Sequence, residues 1–188
     1  MIIVHITPIK NLTNAEIKQV SSFLSPNALA RLNKKRNEEH HLSSLCALSL
    51  IPKEMVTYLD YTEGGKPFFK TLDANISISH STKFAAVALS TSKNEKVGID
   101  VEDIEKFTDN HSFARFFTEN ERKSIETGTS EIEIWTKKEA LFKYLDTNIP
   151  FISLDTTTVN QKFTTIAVDN SLLTVCTDQN AEIEFIHK

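Results

Sequence analysis

Two acidic residues, Asp100 and Glu102, stand two positions apart in the otherwise apolar segment Val97–Glu102. Side chains two positions apart on a β-strand face the same side of the sheet. Two adjacent carboxylates repel each other unless a cation or a proton lies between them. The spacing therefore indicates a cation site, or equally a solvated polar face on an edge strand.

A third acidic residue, Glu139, lies four positions before Lys143. Positions four apart lie on one helix face, and a surface Glu–Lys pair of this kind contributes only about 0.3–0.5 kcal/mol. The pair is surrounded by apolar side chains at Trp135, Leu141 and Phe142, so this helix cannot be solvated on every face. Glu139 is therefore either half of an ordinary ion pair or part of a partly buried site.

Hydroxyl and imidazole groups follow one another in Ser79-His80-Ser81, at the end of a predicted strand. A strand end with such donors can receive a phosphate oxygen. A serine nucleophile with a histidine base is an alternative, although the segment lacks both a Gly-x-Ser-x-Gly elbow and an evident acidic partner. A hydrogen-bonded turn explains the same residues equally well.

Glycine is scarce in this chain, which has only 4 glycines, whereas average usage of about 7% would give roughly 13. Two of them open the segment Gly64-Gly65-Lys66-Pro67. Glycine permits tight turns and close approach of backbone to a ligand. This segment is thus either a surface turn or a loop whose lysine lines the edge of a nucleotide.

Helices are predicted on both sides of these segments. Thr13 or Asn14 can cap a helix that runs to about Leu24, and Ser25-Pro26 opens a second one. The apolar pattern continues that second helix to Pro52. Further along, Thr118 and Glu121 form a capping-box pattern, and the residues from Glu131 to Leu145 form the longest predicted helix.

Strands occupy most of the remaining chain. We expect an edge strand at residues 2–7, and further strands at 58–61, 76–79, 84–89, 97–101, 163–168, 172–176 and 183–186. Their order predicts an α+β fold with antiparallel sheets. A weak similarity of element order divides the chain into residues 1–97 and 98–188, and the absence of a linker predicts that the two halves pack as one unit.

Composition excludes several classes of protein. The 25 acidic residues outnumber the 21 Lys and Arg, giving a formal net charge of -4, which argues against a non-specific nucleic-acid binder. We find no apolar stretch of the roughly 18–20 residues that a membrane span requires. Cys46 and Cys176 lie in apolar segments and are expected to be reduced, buried thiols in a cytoplasmic protein.

The order of these segments resembles that of the 4'-phosphopantetheinyl transferases, within them the surfactin-synthetase-activating type. The resemblance runs from about residue 64 to 143 and includes the segment Phe116–Glu121. It implies two similar α/β halves related by a pseudo-twofold axis, with coenzyme A bound in the cleft between them. A single chain would then supply a complete site, and we expect a monomer.

The resemblance also implies roles for individual residues. Asp100, Glu102 and Glu139 would bind Mg²⁺, with Mn²⁺ as an alternative metal. The coenzyme A contacts would be Arg31, Gly65, Lys66, Pro67, Ser79, His80 and Lys143. Glu139, Glu121 and Lys143 would be catalytic, and the base is left open between Glu139 and Glu121, directly or through a metal-bound water. Ser43 stands where an arginine is expected, so Lys34, Lys35 or Arg36 would contribute to binding the 3'-phosphate instead.

The implied reaction is attack by a serine of an acidic carrier protein on the β-phosphate of coenzyme A, with release of 3',5'-ADP. Three alternative hypotheses are also compatible with the sequence. The chain could bind coenzyme A or a carrier protein without catalysis, or it could be a metal-dependent nucleotide phosphohydrolase. It could also be an α+β domain with a charged strand face and no metal site.

Overall fold

Nine strands run through the described part of the computed structural model, which covers residues 1–34, 37–108 and 111–188. In chain order they are β1 (Ile2–Pro8), β2 (Leu59–Tyr61), β3 (Pro67–Phe69), β4 (Ile76–His80), β5 (Phe84–Ser90), β6 (Val97–Asp103), β7 (Lys162–Val168), β8 (Ser171–Thr177) and β9 (Ile183–His187). They form sheets of order β4-β5-β1-β9, β2-β3 and β6-β8-β7. The α+β class is thus confirmed.

Six α-helices accompany the strands in the same described ranges. They are α1 (Asn14–Phe23), α2 (Pro26–Asn33), α3 (Glu38–Ser49), α4 (Lys53–Val56), α5 (Glu119–Glu126) and α6 (Glu131–Leu145). The side chains that cap α1, α2, α3, α5 and α6 each accept a hydrogen bond from the backbone N–H three residues on. These caps are Thr13, Ser25, Asn37, Thr118 and Ser130. The predicted bounds of α6 are confirmed at both ends.

The second predicted helix is in fact two helices. We expected one helix from Pro26 to about Pro52, but α2 ends at Asn33 and α3 begins at Glu38. The Asn37 side chain accepts a hydrogen bond from the His40 N–H, which starts a new helix at this point. An asparagine cap favours a helix start over helix continuation, and the apolar pattern on both sides could not reveal this.

β1 lies inside its sheet and not at an edge, so the prediction of an edge strand was wrong. It pairs antiparallel with β5 and parallel with β9, which comes from the far end of the chain. The parallel partner is also an exception to the expected antiparallel pairing. Because β9 follows residue 98, the two predicted halves share this sheet.

Alternate faces of β6 have different surroundings. Val97, Ile99 and Val101 are buried in a core cluster together with Ile2 and other residues of β1. The opposite face carries Gly98, Asp100 and Glu102. A Cβ atom on Gly98 would overlap the carbonyl oxygen of Ala140 on α6. The absence of a side chain therefore allows α6 to lie directly on this face of β6.

The two cysteines and the lengths of the helices were also predicted from the sequence. Cys46 and Cys176 are both buried and free, as predicted. Burial raises the pKa of the Cys176 thiol well above its usual range. Among the described residues, no helix combines the length and the apolar character needed to cross a bilayer.

Candidate active site

A cavity of about 350 Å³ opens between the N-terminal helices, the β2–β3 loop and the β6–α6 pair. Its polar walls are formed by Arg31, Ser44, Tyr61, Ser79, His80, Asp100, Glu102, Glu139 and Lys143, and its other walls by Ala28, Leu32, Leu48, Gly65, Pro67 and Ile78. The structure thus brings together, from five separate parts of the chain, nearly all of the residues that the sequence singled out.

Two elements position the three carboxylates. Asp100 and Glu102 follow Gly98 on the same face of β6, and Glu139 adjoins Ala140 on α6. Since Gly98 is in contact with Ala140, the two backbones run closer together than side chains would otherwise allow. The close approach of strand and helix thus places the three acidic residues at one end of the cavity.

Lys143 pairs with Asp100 and not with Glu139. Its Nζ lies 2.8 Å from Asp100 Oδ1 and also donates to Ser79 Oγ at 3.1 Å and to the Ile99 carbonyl at 2.9 Å. Ser79 Oγ donates to the same oxygen of Asp100 at 2.8 Å. Glu139 and Lys143 therefore do not form the surface ion pair that their spacing suggested.

Glu102 is held by a second lysine. Lys106 Nζ lies 2.8 Å from each carboxylate oxygen of Glu102. The indole N–H of Trp135 donates to Glu102 Oε1 at 3.2 Å. Sequence reasoning did not single out Lys106, because a spacing of four residues indicates a contact only within a helix and Glu102 lies on β6.

The pKa values in the cavity reflect crowded, partly desolvated acids. Burial, and after it the nearby Asp100 carboxylate, raise the pKa of Glu139 to about 6 against the opposing charge of Lys143. Burial and then Asp100 also raise the pKa of Glu102, against the opposing effect of Lys106. These carboxyl groups therefore favour the binding of a proton or a cation.

The donor set fits a hard divalent cation such as Mg²⁺, which prefers carboxylate oxygens. Asp100 Oδ2 is buried and has no hydrogen-bond partner, so one oxygen is available in the interior of the cavity. Within the described ranges, however, no three His, Cys, Asp or Glu side chains are grouped closely enough to hold a metal as they stand. Asp100 and Glu102 face lysines instead.

In the Ser79-His80-Ser81 segment, the first two residues line the cavity and the third forms a turn. The Ser79 hydroxyl is buried and donates to Asp100, so it is not oriented as a nucleophile towards His80. Ser81 Oγ accepts from the Lys83 and Phe84 N–H groups, which is the turn that the sequence left open. His80 lies at the cavity wall, 6.2 Å from the ring of His40 between centroids.

The Gly-Lys-Pro loop is both a hairpin turn and a cavity wall. Gly65 has a φ of 88°, and a Cβ there would overlap the guanidinium of Arg31. That guanidinium also lies 5.0 Å from the ring centroid of Tyr61. Lys66 does not line the first cavity, since its Nζ pairs with Asp146 Oδ2 at 3.0 Å.

A second cavity of about 450 Å³ adjoins the first. Both are lined by Gly65, Pro67, Ile78, Glu139 and Lys143, so the two cavities form one continuous cleft. Lys66, Asp146 and Phe142 line the second cavity and not the first. The ion pair between the first two connects the β2–β3 loop with the end of α6 across this part of the cleft.

Glu121 is not brought to the cavity. It is fully buried, where Oε2 accepts from Lys138 Nζ at 2.7 Å and Oε1 accepts from the Thr156 N–H and hydroxyl at 3.0 Å. It also accepts from the Thr118 N–H in the capping box of α5. These bonds occupy both oxygens, so Glu121 joins α5, α6 and the chain after α6.

Ser43, in the position of the expected arginine, turns away from the cleft. Its hydroxyl donates to the Glu39 carbonyl within α3 and is buried. Lys34 forms the C-cap of α2, whereas Lys35 and Arg36 lie outside the described residues. Ser44 and His40 near the cavity were not singled out from the sequence, since isolated polar residues on a helix carry no distinctive pattern.

Residues 96–185 match the family model of the 4'-phosphopantetheinyl transferase superfamily. The match spans slightly less than half of the chain, but it includes all three carboxylates together with Lys143. A search of curated proteins found no significant match. The family match thus supports a transferase of this superfamily and rests on the part of the chain that supplies the acidic side of the cavity.

Proposed function

We propose that this protein transfers the 4'-phosphopantetheine group of coenzyme A to a serine of an acidic acyl or peptidyl carrier protein, in the manner of the surfactin-synthetase-activating transferases. One observation carries the proposal. Asp100, Glu102, Glu139 and Lys143 surround a single cavity, and all four lie within the segment that matches the superfamily.

The nucleotide end of coenzyme A would lie on the N-terminal side of the cavity. Arg31 supplies a cation above Gly65, and Tyr61 supplies an aromatic face. His80 adds a hydrogen-bonding ring at the same wall. A guanidinium suits phosphate because it donates in a planar fork, so these residues are assigned to the adenosine 3'-phosphate end.

The diphosphate would lie at the acidic end, with Asp100, Glu102 and Glu139 as the residues that hold Mg²⁺ or Mn²⁺. When bound, the ion neutralises diphosphate charge and polarises the phosphorus centre under attack. Lys143 is assigned to the diphosphate, since its ammonium already lies between β6 and the cavity. Ser79 orients Asp100 and Lys143 through its hydroxyl.

Glu139 is the residue we assign as base. Its carboxylate lines both cavities, so it lies where the diphosphate and the transferred arm would meet. The serine oxygen bonds to the β-phosphorus while its proton passes to Glu139, and the bond to the departing 3',5'-ADP oxygen breaks. Glu121 is assigned a structural role, because both its oxygens are engaged in the interior.

The overall arrangement proposed for the chain has two halves, residues 1–97 and 98–188, related by a pseudo-twofold axis. The cleft between them receives one donor molecule, so the active protein is proposed to be a monomer. The second cavity continues from the acidic end and is proposed to accommodate the pantetheine arm, which extends from the diphosphate.

The test is transfer to an apo-carrier protein in the presence of coenzyme A and Mg²⁺, followed by intact-mass spectrometry. The carrier should gain the mass of the phosphopantetheine arm, and a carrier with its serine replaced by alanine should gain none. Release of 3',5'-ADP without any mass gain would instead identify a phosphohydrolase. Binding of coenzyme A with neither product would identify a binding module.

A further inference from the structure

The Lys106 ammonium is bound to the Glu102 carboxylate, which is one of the groups that a metal would need. The ammonium is within 2.8 Å of both oxygens, so neither oxygen is free of it. Lys106 lies in the short helical turn Ile104–Phe107 directly after β6, four residues from Glu102. A divalent cation cannot bind Glu102 closely while this ammonium remains in place, because the two positive charges repel each other.

We infer that Lys106 is a built-in competitor for the divalent cation at Glu102, and the inference rests on the proposed function. In the free protein Lys106 neutralises Glu102 and keeps metal affinity low. Coenzyme A adds the negative charge of its diphosphate to the cavity, which favours the metal over the ammonium. Lys106 thereby makes metal binding depend on the presence of the donor substrate.

The two lysines of the site differ in how firmly they are held. Lys143 is 27% exposed and also donates to Ser79 and to the Ile99 carbonyl. Lys106 is 47% exposed, and its hydrogen bonds within the described residues go to Glu102 alone. Its Nζ lies 5.9 and 5.7 Å from the ring centroids of Phe107 and Phe113. Lys106 is therefore the lysine that can leave at small cost.

Glu102 keeps one partner when Lys106 leaves. The Trp135 indole N–H still donates to Oε1 and holds the carboxylate towards α6. Trp135 also contacts the rings of Phe113 and Phe116 at 4.7 and 5.6 Å between centroids. Because the chain has a single tryptophan and its indole N–H is bound to Glu102, we expect its fluorescence to change when the cation at Glu102 is exchanged.

The experiment is a Mg²⁺ titration of the full chain, followed by tryptophan fluorescence and checked by Mn²⁺ calorimetry, without and with coenzyme A. Lys106→Met keeps the length of the side chain and removes its charge. Without coenzyme A, this variant is expected to bind Mg²⁺ roughly 5- to 20-fold more tightly than the unmodified protein. With coenzyme A bound, the difference is expected to shrink.

Two further variants test whether the charge of Lys106, and not merely a change of side chain, lowers the affinity for Mg²⁺. Lys106→Arg retains the positive charge and should bind Mg²⁺ about as weakly as the unmodified protein. Lys123→Met removes a lysine from the exposed Glu119–Lys123 pair, which has the same i,i+4 spacing but is not at the cavity, and should leave the affinity unchanged. Thermal unfolding of each variant confirms that the fold is retained.

The inference is overturned if Lys106→Met binds Mg²⁺ no more tightly than the unmodified protein, or if Lys106→Arg gains affinity equally. Either result alongside intact phosphopantetheine transfer would leave the proposed function standing. No response to Mg²⁺ in any protein, with or without coenzyme A, together with no transfer, would overturn both.

Discussion

Gly98 on β6 lies against the backbone of Ala140 on α6, with no room for a side chain between them. A Cβ on Gly98 would overlap the Ala140 carbonyl oxygen and would lie 2.7 Å from the Tyr144 amide nitrogen. The contact joins the strand that carries Asp100 and Glu102 to the helix that carries Glu139. The geometry of the acidic end of the cavity therefore depends on a glycine two residues before its first carboxylate.

Gly98→Ala is expected to destabilise the protein, because the added methyl group must push β6 and α6 apart. Overpacking of a close contact typically costs about 1–3 kcal/mol, and backbone offers little room to adjust. Urea unfolding measures the loss. Gly64→Ala is the matched control, since its Cβ would meet only Thr62 Oγ1 at 3.8 Å. Equal stability of the two variants would contradict this account of the contact.

Glu139→Gln is expected to stabilise the metal-free protein at neutral pH. A carboxyl group whose pKa is raised on folding, here to about 6, binds protons more tightly in the folded state. The resulting loss of stability builds up as the pH rises from the unfolded value of about 4.5 to about 6 and is complete above that pH. Glutamine carries no such penalty at any pH.

The expected gain from Glu139→Gln is ~1–2 kcal/mol in the free energy of unfolding at pH 7.5, allowing for partial exposure. The gain should stay constant down to about pH 6 and then decrease to nothing below about pH 4.5. Denaturant unfolding at a series of pH values in a chelating buffer provides the measurement, with Glu133→Gln, a glutamate of α6 that does not line the cavities, as control. A variant less stable than the unmodified protein at pH 7.5 would show that Glu139 is not a crowded acid.

Lys138→Met should cause a large loss of stability. Lys138 and Glu121 are both 0% exposed, and removing the lysine leaves a buried carboxylate without its counter-ion. Breaking a buried pair in this way typically costs about 3–5 kcal/mol. Lys137→Met, which breaks the neighbouring, more solvent-accessible pair with Glu133, should cost less than about 1 kcal/mol.

The double variant Glu121→Gln/Lys138→Met should recover part of that loss, because no unpaired charge then remains in the interior. If Glu121 were the base, Glu121→Gln would abolish transfer in a protein that remains fully folded. On the present account, transfer by the folded fraction of Glu121→Gln should persist. Comparing transfer rates with the folded fraction therefore separates the structural from the catalytic role.

Gly65→Ala is expected to weaken binding of 3',5'-ADP by displacing Arg31. The new methyl group would overlap the guanidinium, and the φ of 88° disfavours any side chain at this position. Loss of one charge-assisted contact predicts a roughly tenfold weaker affinity by calorimetry. Gly64→Ala again serves as control.

A double-mutant cycle sharpens the Gly65 prediction. If Gly65→Ala acts through Arg31, it should have little further effect on 3',5'-ADP binding in an Arg31→Ala background. Additive losses from the two substitutions would mean that the loop and the arginine act on the nucleotide separately.

Local patterns predicted the parts of the site that depend on neighbouring residues. The period-two spacing of Asp100 and Glu102 placed them on one face of β6, and the apolar pattern after Ser130 gave α6 its bounds. The capping box at Thr118 was also readable, because its partners are only three residues apart. These features are encoded within single turns or strands.

Relationships between distant segments could not be read in this way. We expected β1 at a sheet edge. That prediction failed because its parallel partner β9 comes from the other end of the chain, where no local pattern points to β1. Lys143 was paired by spacing with Glu139, whereas in the structure it reaches across to Asp100. The burial of Glu121 likewise depends on Lys138 and Thr156, which no local pattern links to it.

The most direct measurement of the central claim counts both products of one reaction. Apo-carrier protein is incubated with coenzyme A, Mg²⁺ and either the unmodified protein or Asp100→Asn, and carrier mass and released 3',5'-ADP are quantified together. We expect one 3',5'-ADP for each modified carrier serine, and loss of both products in the folded variant. Nucleotide release without carrier modification, or full transfer by Asp100→Asn, would contradict it.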